Sequence, residues 1–330
     1  QDENEPQVRD LSAPLLEAWL RRTGNGAADV SVTECRKLMG GFSKSTYVVT
    51  LVDGGAPKKI VVRKDFPGLP TGSSVVSEYP VLQDMAKLEV PAPRPLWLEA
   101  DSAVCDGAFM GVTFVAGEPA NRAVPADSEA RRSWARSIAT ALGRLHAGTA
   151  LAGTDPRDHI LQEIADVERR MLERERAPHP GLVLGLKWLR QHIDDLRGRP
   201  ACRIHGDVGF HNMMIAENGV SALLDWEFSR IGDPVEDLAS VKPFMEQIES
   251  WEEFYATYRE ICGFELDPTA DRYFTVWREA RNMVACIGSL NSLLLPGVRS
   301  VPLPLAGTVY APKYEVSLLD AIKEAERTHV

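Results

Sequence analysis

The sequence predicts an α+β chain with a β-rich N-terminal lobe and a helix-rich C-terminal lobe. Three observations carry that expectation. The first 115 residues hold β-branched runs broken by glycine and proline punctuation. From about residue 125 the apolar residues recur at three- and four-residue spacing, which is helical. A short β island interrupts the helical half near residues 202–225, where "CRI", "MMI" and "SALLD" surround an "ENG" turn.

The elements follow in order. Residues 11–22 carry apolar positions at helical spacing and form a leading helix. "TYVVTLV" and "KIVVR" are strands, and "DGGAP" between them is a hairpin turn. A helix spans about 74–88. "VPAPRPLWLEAD" is extended, because proline fixes φ and pushes the residue before it out of the helical region. "FMGVTFVAGEP" is a strand ending in a turn.

Residues 115–127 read as a connector, giving a β-rich N-terminal lobe with the leading helix, 1–115, and a helix-rich C-terminal lobe, 116–330. In the second lobe Trp134, Ile138, Ala141, Leu142 and Leu145 share one helical face. Ile160, Ile164, Val167 and Met171 mark a second helix, and "LVLGLKWLRQHIDDL" a third. The β island forms a buried hairpin within this lobe. Clefts between lobes are frequent ligand sites, so the polar ends of that hairpin are the first place to look.

Composition narrows the function. The chain has 330 residues, 44% hydrophobic and 25% charged, which is ordinary globular usage. A formal net charge of -10 argues against nonspecific binding to nucleic acid or an anionic membrane. Five cysteines with no C-x-x-C pair point away from a disulfide framework or a zinc site, towards a reducing, cytoplasmic setting. No apolar run approaches the ~18 residues of a membrane span.

The chemistry-bearing stretch is "CRIHGDVGFHNMMI". His205, Asp207 and Asn212 have the spacing H-x-D-x-x-x-x-N, and the second strand of the hairpin runs out at Asp225. Phosphoryl transfer needs such a set. One carboxylate accepts the proton of the attacking hydroxyl, while an amide oxygen and a second carboxylate hold Mg²⁺ against the nucleotide phosphates. Hard oxygen donors suit magnesium rather than zinc. A lone H-G-D or D-W-E carries little weight, but the two in order around a hairpin carry much more.

With these residues in place, the sequence resembles the aminoglycoside phosphotransferase and choline kinase superfamily, which has the protein-kinase-like two-lobed fold. It is most similar to the phosphotransferase domains that accompany acyl-CoA dehydrogenases. The matching stretches are "VVRKDFPGLP", "SEYPVL", "VPAPRPLWL", "GVTFVAGEP", "HGDVGFHN" and "LLDWEFSRIGDPVEDLA", from about residue 39 to 239. The section beyond matches only in helical character.

The resemblance implies ATP and Mg²⁺ as cofactors and a small-molecule hydroxyl as acceptor. It makes Asp207 the catalytic base, Asn212 and Asp225 the metal ligands, and His205 an internal support of the loop. Asp233 and Asp237 pin that loop and cap the next helix. "MGGFSKSTY" becomes the phosphate-covering hairpin, with Gly41 and Ser43 at the nucleotide. "GVTFVAG" becomes the hinge, where backbone groups from Thr113 to Val115 meet the adenine.

Strand alternation leaves two choices for the phosphate-binding cation. Either Val61 and Arg63 face the nucleotide, or Val62 and Lys64 do. The resemblance favours Arg63, with Glu78 as its helical partner. Glu227 stands either in the metal's outer surroundings or as a solvated carboxylate.

The acceptor is less legible. Glu246, Glu249, Glu252 and Glu253 suit a polycation or a solvated helix face, and the latter is favoured. Arg278, Arg281 and Asn282 suit an anionic acceptor or structural salt bridges. The resemblance points to a hydroxy acid or hydroxyacyl-CoA and to a functional link with an acyl-CoA dehydrogenase. The alternatives are an antibiotic kinase and a catalytically silent nucleotide-binding scaffold.

Overall fold

A computed structural model describes residues 10–38, 44–66, 74–122, 124–175, 177–217, 219–289 and 306–327. They form two compact units. The first comprises Gln1–Ala141 with Phe210–Ser229, the second Leu142–Gly209 with Arg230–Val330.

The first unit opens with helix α1, Ala13–Thr23. Ser12 caps it by accepting from the Leu15 amide, and Gly24 ends it in the left-handed conformation. Leu16, Trp19 and Leu20, at helical spacing, are all buried. Burial of such side chains stabilises by roughly 1.5–3 kcal/mol each, which docks an otherwise marginal short helix.

Five strands follow in an antiparallel sheet of order β1-β2-β3-β5-β4: β1 Ser31–Lys37, β2 Lys44–Asp53, β3 Ala56–Asp65, β4 Pro95–Glu99 and β5 Phe109–Thr113. The β2–β3 turn is Gly54–Gly55, both at positive φ (59° and 76°), the two-residue hairpin that glycine permits. Helix α2, Val75–Lys87, starts in a capping box made by Ser74 and Ser77.

Register decides which residues share a face. Thr46 pairs with Arg63 and Val48 with Val61, while Tyr47 pairs with Val62 and Ser45 with Lys64. Directly opposed residues project to the same side. One side therefore carries Tyr47, Val49, Ile60, Val62 and Phe109, which pack with α1 and Trp97 in one buried cluster. Trp19, Trp97 and Phe109 meet edge-on or tilted at 4.8–5.9 Å. The other side carries Lys44, Thr46, Val48, Val61 and Arg63.

The first unit also contains a three-stranded sheet of β6 Glu118–Pro119, β8 Met213–Ala216 and β9 Gly219–Leu223, in the order β6-β8-β9. The second unit has its own two-stranded pair, β7 Cys202–Ile204 and β10 Arg230–Gly232. The expected single β island is thus corrected. "CRI" does not join the hairpin; its partner is "RIG", and the hairpin groups with the N-terminal sheet's unit rather than with the helical one. Two- and three-residue strands such as β6 and β10 are too short to show a period of two.

Helix α3, Ser128–Gly148, belongs to the first unit as far as Ala141 and to the second from Leu142. The second unit is otherwise built from α4 Arg157–Arg174, α5 Pro180–Gln191, α6 Pro234–Ile248, α7 Trp251–Cys262, α8 Pro268–Ser289 and α9 Ala311–Arg327. Ile160, Ile164, Val167 and Met171 all enter its core, with Trp277 of α8 and Leu318 of α9. The third sequence-read helix stops at Gln191, and Ile193–Leu196 is a separate 3-10 turn. Among the described residues no helix is long and apolar enough to cross a membrane.

Candidate active site

The nucleotide-side residues come together in the first unit. Glu78 shares the inward face of α2 with Val75, Leu82 and Met85, so a carboxylate is buried where an apolar residue would be ordinary. Its Oε1 accepts from Arg63 Nη1 at 2.5 Å. The same guanidinium donates through Nη2 to Asp225 Oδ1 at 2.7 Å.

Burial opposes the Arg63 charge, but Glu78 and Asp225 more than offset it and hold the guanidinium firmly protonated. Burial likewise pushes the Glu78 carboxyl above the ordinary carboxylate range, against the pull of Arg63 and Lys44.

The register places Arg63 and Lys64 on opposite faces of the sheet. Lys64 lies on the opposite side of the sheet, 1% exposed, where its ammonium donates to the Asp106 carbonyl and stands 3.8 Å from Asp10. Two strand neighbours cannot share a face, so only one of them reaches Glu78.

Asn212 and Asp225 sit at the open end of the β8–β9 hairpin. Met213 pairs with Leu223, and the Leu224 amide donates to the Asn212 carbonyl at 2.7 Å. That extends the ladder by one rung and puts Asp225 next to Asn212. Asp225 has φ 63° and ψ 65°, a left-handed conformation that costs a non-glycine residue of order 1–3 kcal/mol. Asp and Asn tolerate it best. It ends the strand sharply and starts the 3-10 turn Trp226–Phe228.

The amide oxygen of Asn212 and the carboxylate of Asp225 are hard donors of the kind magnesium takes, alongside substrate phosphates. Arg63 already rests on Asp225, so the carboxylate faces a position that holds positive charge.

Asp207 belongs to the second unit, as do the groups that hold its loop. Asp237 of α6 is fully buried and accepts the amides of His205 at 2.7 Å and Gly206 at 2.9 Å. Its Oδ2 also meets His146 Nε2 at 3.1 Å. A carboxylate only accepts, so Nε2 carries the proton there. His146 Nδ1 pairs with the Tyr258 hydroxyl at 2.8 Å.

Burial works against the Asp237 charge, but the hydrogen bond and charge of His146, together with His205, hold the carboxyl below the ordinary range. Gly206 has φ 82°, a conformation that L residues rarely adopt, and it turns the chain into Asp207. The Asp207 amide donates to His205 Nδ1 at 3.3 Å, so His205 braces the loop from inside while 1% exposed. Asp233 caps α6 through the Val235 amide and is held by Arg199.

Other residues singled out in the sequence fall as follows. Gly41 and Ser43 lie outside the described residues. Thr113 ends β5, and its amide is committed to the Arg94 carbonyl at 2.9 Å. Val115 lies two residues beyond, in the loop leaving β5. Glu246, Glu252 and Glu253 are exposed on helical surface, as a solvated face requires.

Arg278 binds the Ala239 carbonyl and Glu279, and Arg281 binds the Gly206 carbonyl at 2.5 Å and Glu236 at 3.3 Å. Both arginines thus have structural partners. Arg281 reaches the loop that carries Asp207 from a helix about 75 residues away in sequence, a link that no local pattern reveals.

Lys44, which no sequence motif singles out, stands in the same cluster as Glu78. It is 2% exposed, and its ammonium lies 2.6 Å from Glu227 and 3.7 Å from Glu78. The available signal was alternation, since Lys44 and Thr46 project to the side of Arg63.

A model of the phosphotransferase enzyme family matches residues 34–273. Among curated proteins, mouse (Mus musculus) acyl-CoA dehydrogenase family member 10 is 27% identical over 216 residues, 60% of this chain and 19% of that protein. The chain thus spans about a fifth of that relative's length. Among solved structures, a putative aminoglycoside phosphotransferase from Ralstonia eutropha superposes with a TM-score of 0.70 at 21% identity, covering 94% of this chain and 98% of that one. A thermostable aminoglycoside phosphotransferase APH(4)-Ia variant, in ternary complex with ADP and hygromycin B, gives 0.62 at 15% identity, covering 92% and 98%. The fold is the kinase-like one expected.

Proposed function

We propose that this chain, which belongs to the phosphotransferase enzyme family, transfers the γ-phosphoryl group of ATP to a hydroxyl of a small organic molecule. The observation that carries the reading is Arg63, which bonds Glu78 on one side and Asp225 on the other. A phosphate-binding cation fixed by a helical glutamate, beside a carboxylate that takes the metal, is what phosphoryl transfer requires. The ADP in the complex of the APH(4)-Ia variant supports the choice of nucleotide.

In this reading Arg63 holds the nucleotide phosphates, and Val115 contributes backbone groups to the adenine. Thr113 contributes less, because its amide is already committed. Asn212 and Asp225 would hold Mg²⁺, which would supply neutralising charge for the nucleotide phosphates. Asp207 accepts a hydrogen bond from the acceptor hydroxyl. As the new O–P bond forms, the bond from the γ phosphorus to the bridging oxygen breaks, ADP departs, and the hydroxyl proton passes to Asp207 and on to solvent. Gly41 and Ser43 are placed at the phosphates by family resemblance alone.

For the acceptor we favour a hydroxy acid or hydroxyacyl-CoA. The support is similarity to a protein named as an acyl-CoA dehydrogenase family member. Phosphorylation turns an unreactive hydroxyl into a leaving group, which suits a later elimination. The test is ADP release with Mg-ATP across a panel of hydroxy acids, hydroxyacyl-CoA thioesters and aminoglycosides. Turnover with thioesters supports this acceptor. Turnover only with aminoglycosides makes the chain an antibiotic kinase. Nucleotide binding without ADP release from any acceptor makes it a silent scaffold.

A further inference from the structure

Among the described residues two cations, not one, stand in the carboxylate cluster of the first unit. Arg63 and Lys44 face Glu78, Asp225 and Glu227, so two positive charges meet three negative ones. The two oxygens of Glu78 are used unequally. Oε1 holds Arg63 at 2.5 Å. Oε2 is buried and accepts no hydrogen bond among the described residues, although the Lys44 ammonium lies 3.7 Å away. A buried acceptor left in that state is destabilising, because it has lost its water without gaining a donor. Lys44 instead leans to Glu227 Oε2 at 2.6 Å.

We infer that Lys44 is a second phosphate-binding cation of this chain, stored on Glu227 and braced on the second oxygen of Glu78 when nucleotide is bound. The inference rests on the nucleotide-binding reading above. Its physical basis is charge. A nucleotide tail and Mg²⁺ would add to a cluster in which, among the described residues, carboxylates outnumber cations. Neutralising the phosphates there requires the side chains to exchange partners. An ammonium has three donors, and an acceptor already waits for Lys44 at Glu78 Oε2. It projects to the same side of the sheet as Arg63, at the strand end that follows the stretch "MGGFS". A lysine 1% exposed at its side chain is rare on a strand unless it is paired or used.

The test measures binding by calorimetry on the whole chain, with ADP and separately with adenosine, in EDTA and with Mg²⁺. Lys44→Met is expected to weaken ADP binding about tenfold or more, as loss of a charged hydrogen bond does. Adenosine binding is expected to stay within twofold, since adenosine has no phosphate. Lys44→Arg is expected to retain ADP affinity within about threefold.

The double variant Lys44→Met with Glu227→Gln removes both members of the stored pair and guards against misfolding of the single variant. It is expected to remain weak for ADP. Wild-type ADP affinity in the folded double variant overturns the inference, because Lys44 would then serve only to neutralise Glu227. Equal losses for ADP and adenosine overturn it as well. A wild-type chain that binds neither ligand overturns the nucleotide-binding reading itself, a separate failure.

Discussion

The carboxylate cluster around Arg63 and the loop before Asp207 are both charged, and each joins residues far apart in sequence, yet they are built on opposite plans. In the cluster, side chains bind side chains: Arg63 to Glu78 and Asp225, Lys44 to Glu227. Each cation has more than one carboxylate within reach, and one buried oxygen of Glu78 accepts nothing. In the loop, side chains bind backbone: Asp237 takes two amides, and Arg281 takes the Gly206 carbonyl. Ion pairs between flexible side chains can trade partners when a charged ligand arrives. Backbone groups cannot move without the chain. The first arrangement is suited to receiving a ligand and the second to holding one carboxylate still.

That contrast can be broken, beginning with the largest expected effect. Asp207→Ala should lower turnover by at least a thousandfold while nucleotide affinity stays within about threefold, measured by ADP release and calorimetry. Near-normal turnover would remove Asp207 from the chemistry.

Asp237→Asn should cost about 3–5 kcal/mol of stability, read from denaturant unfolding, because it strips a buried carboxylate from His146 and two amides. The same residue sets an acid limit. Its folded-state pKa lies below the ordinary value of 3.8, so its contribution is fully present above that value and is lost as pH falls through the folded one. The variant should therefore show a flatter loss of stability below pH 3.8.

Arg63→Met should weaken ADP binding about 10- to 100-fold with a smaller change in unfolding midpoint. If stability collapses and the folded remainder binds ADP normally, the cluster is a structural brace and not a ligand site. The smallest effect sharpens the assignment of faces. Lys64→Met should leave ADP affinity within twofold, because Lys64 lies on the α1 side of the sheet near Asp10. A tenfold loss would mean that the register argument fails.

Much of this was legible in one dimension. The order of helices and strands follows from hydrophobic period and from the glycine and proline punctuation. The motif residues Asp207, Asn212 and Asp225 could be singled out because their types and spacing are specific. What sequence could not supply was pairing over long separations. "CRI" lies eight residues from "MMI", yet it bonds to "RIG" instead, because strand pairing is selected by packing and not by proximity. Arg278 and Arg281 looked equally available to an anion until their carbonyl and carboxylate partners appeared.

The sequence by itself determined the two kinds of lobe, the hairpin and the order in which Asp207, Asn212 and Asp225 follow one another. These are local properties, set by side-chain chemistry and the periods of helix and strand. Tertiary structure decided that Arg63 and not Lys64 meets Glu78, that Lys44 joins them, and that Asp237 and Arg281 hold the Gly206 peptide. Each depends on which face a register exposes, or on two segments meeting after dozens of residues, and a linear pattern fixes neither.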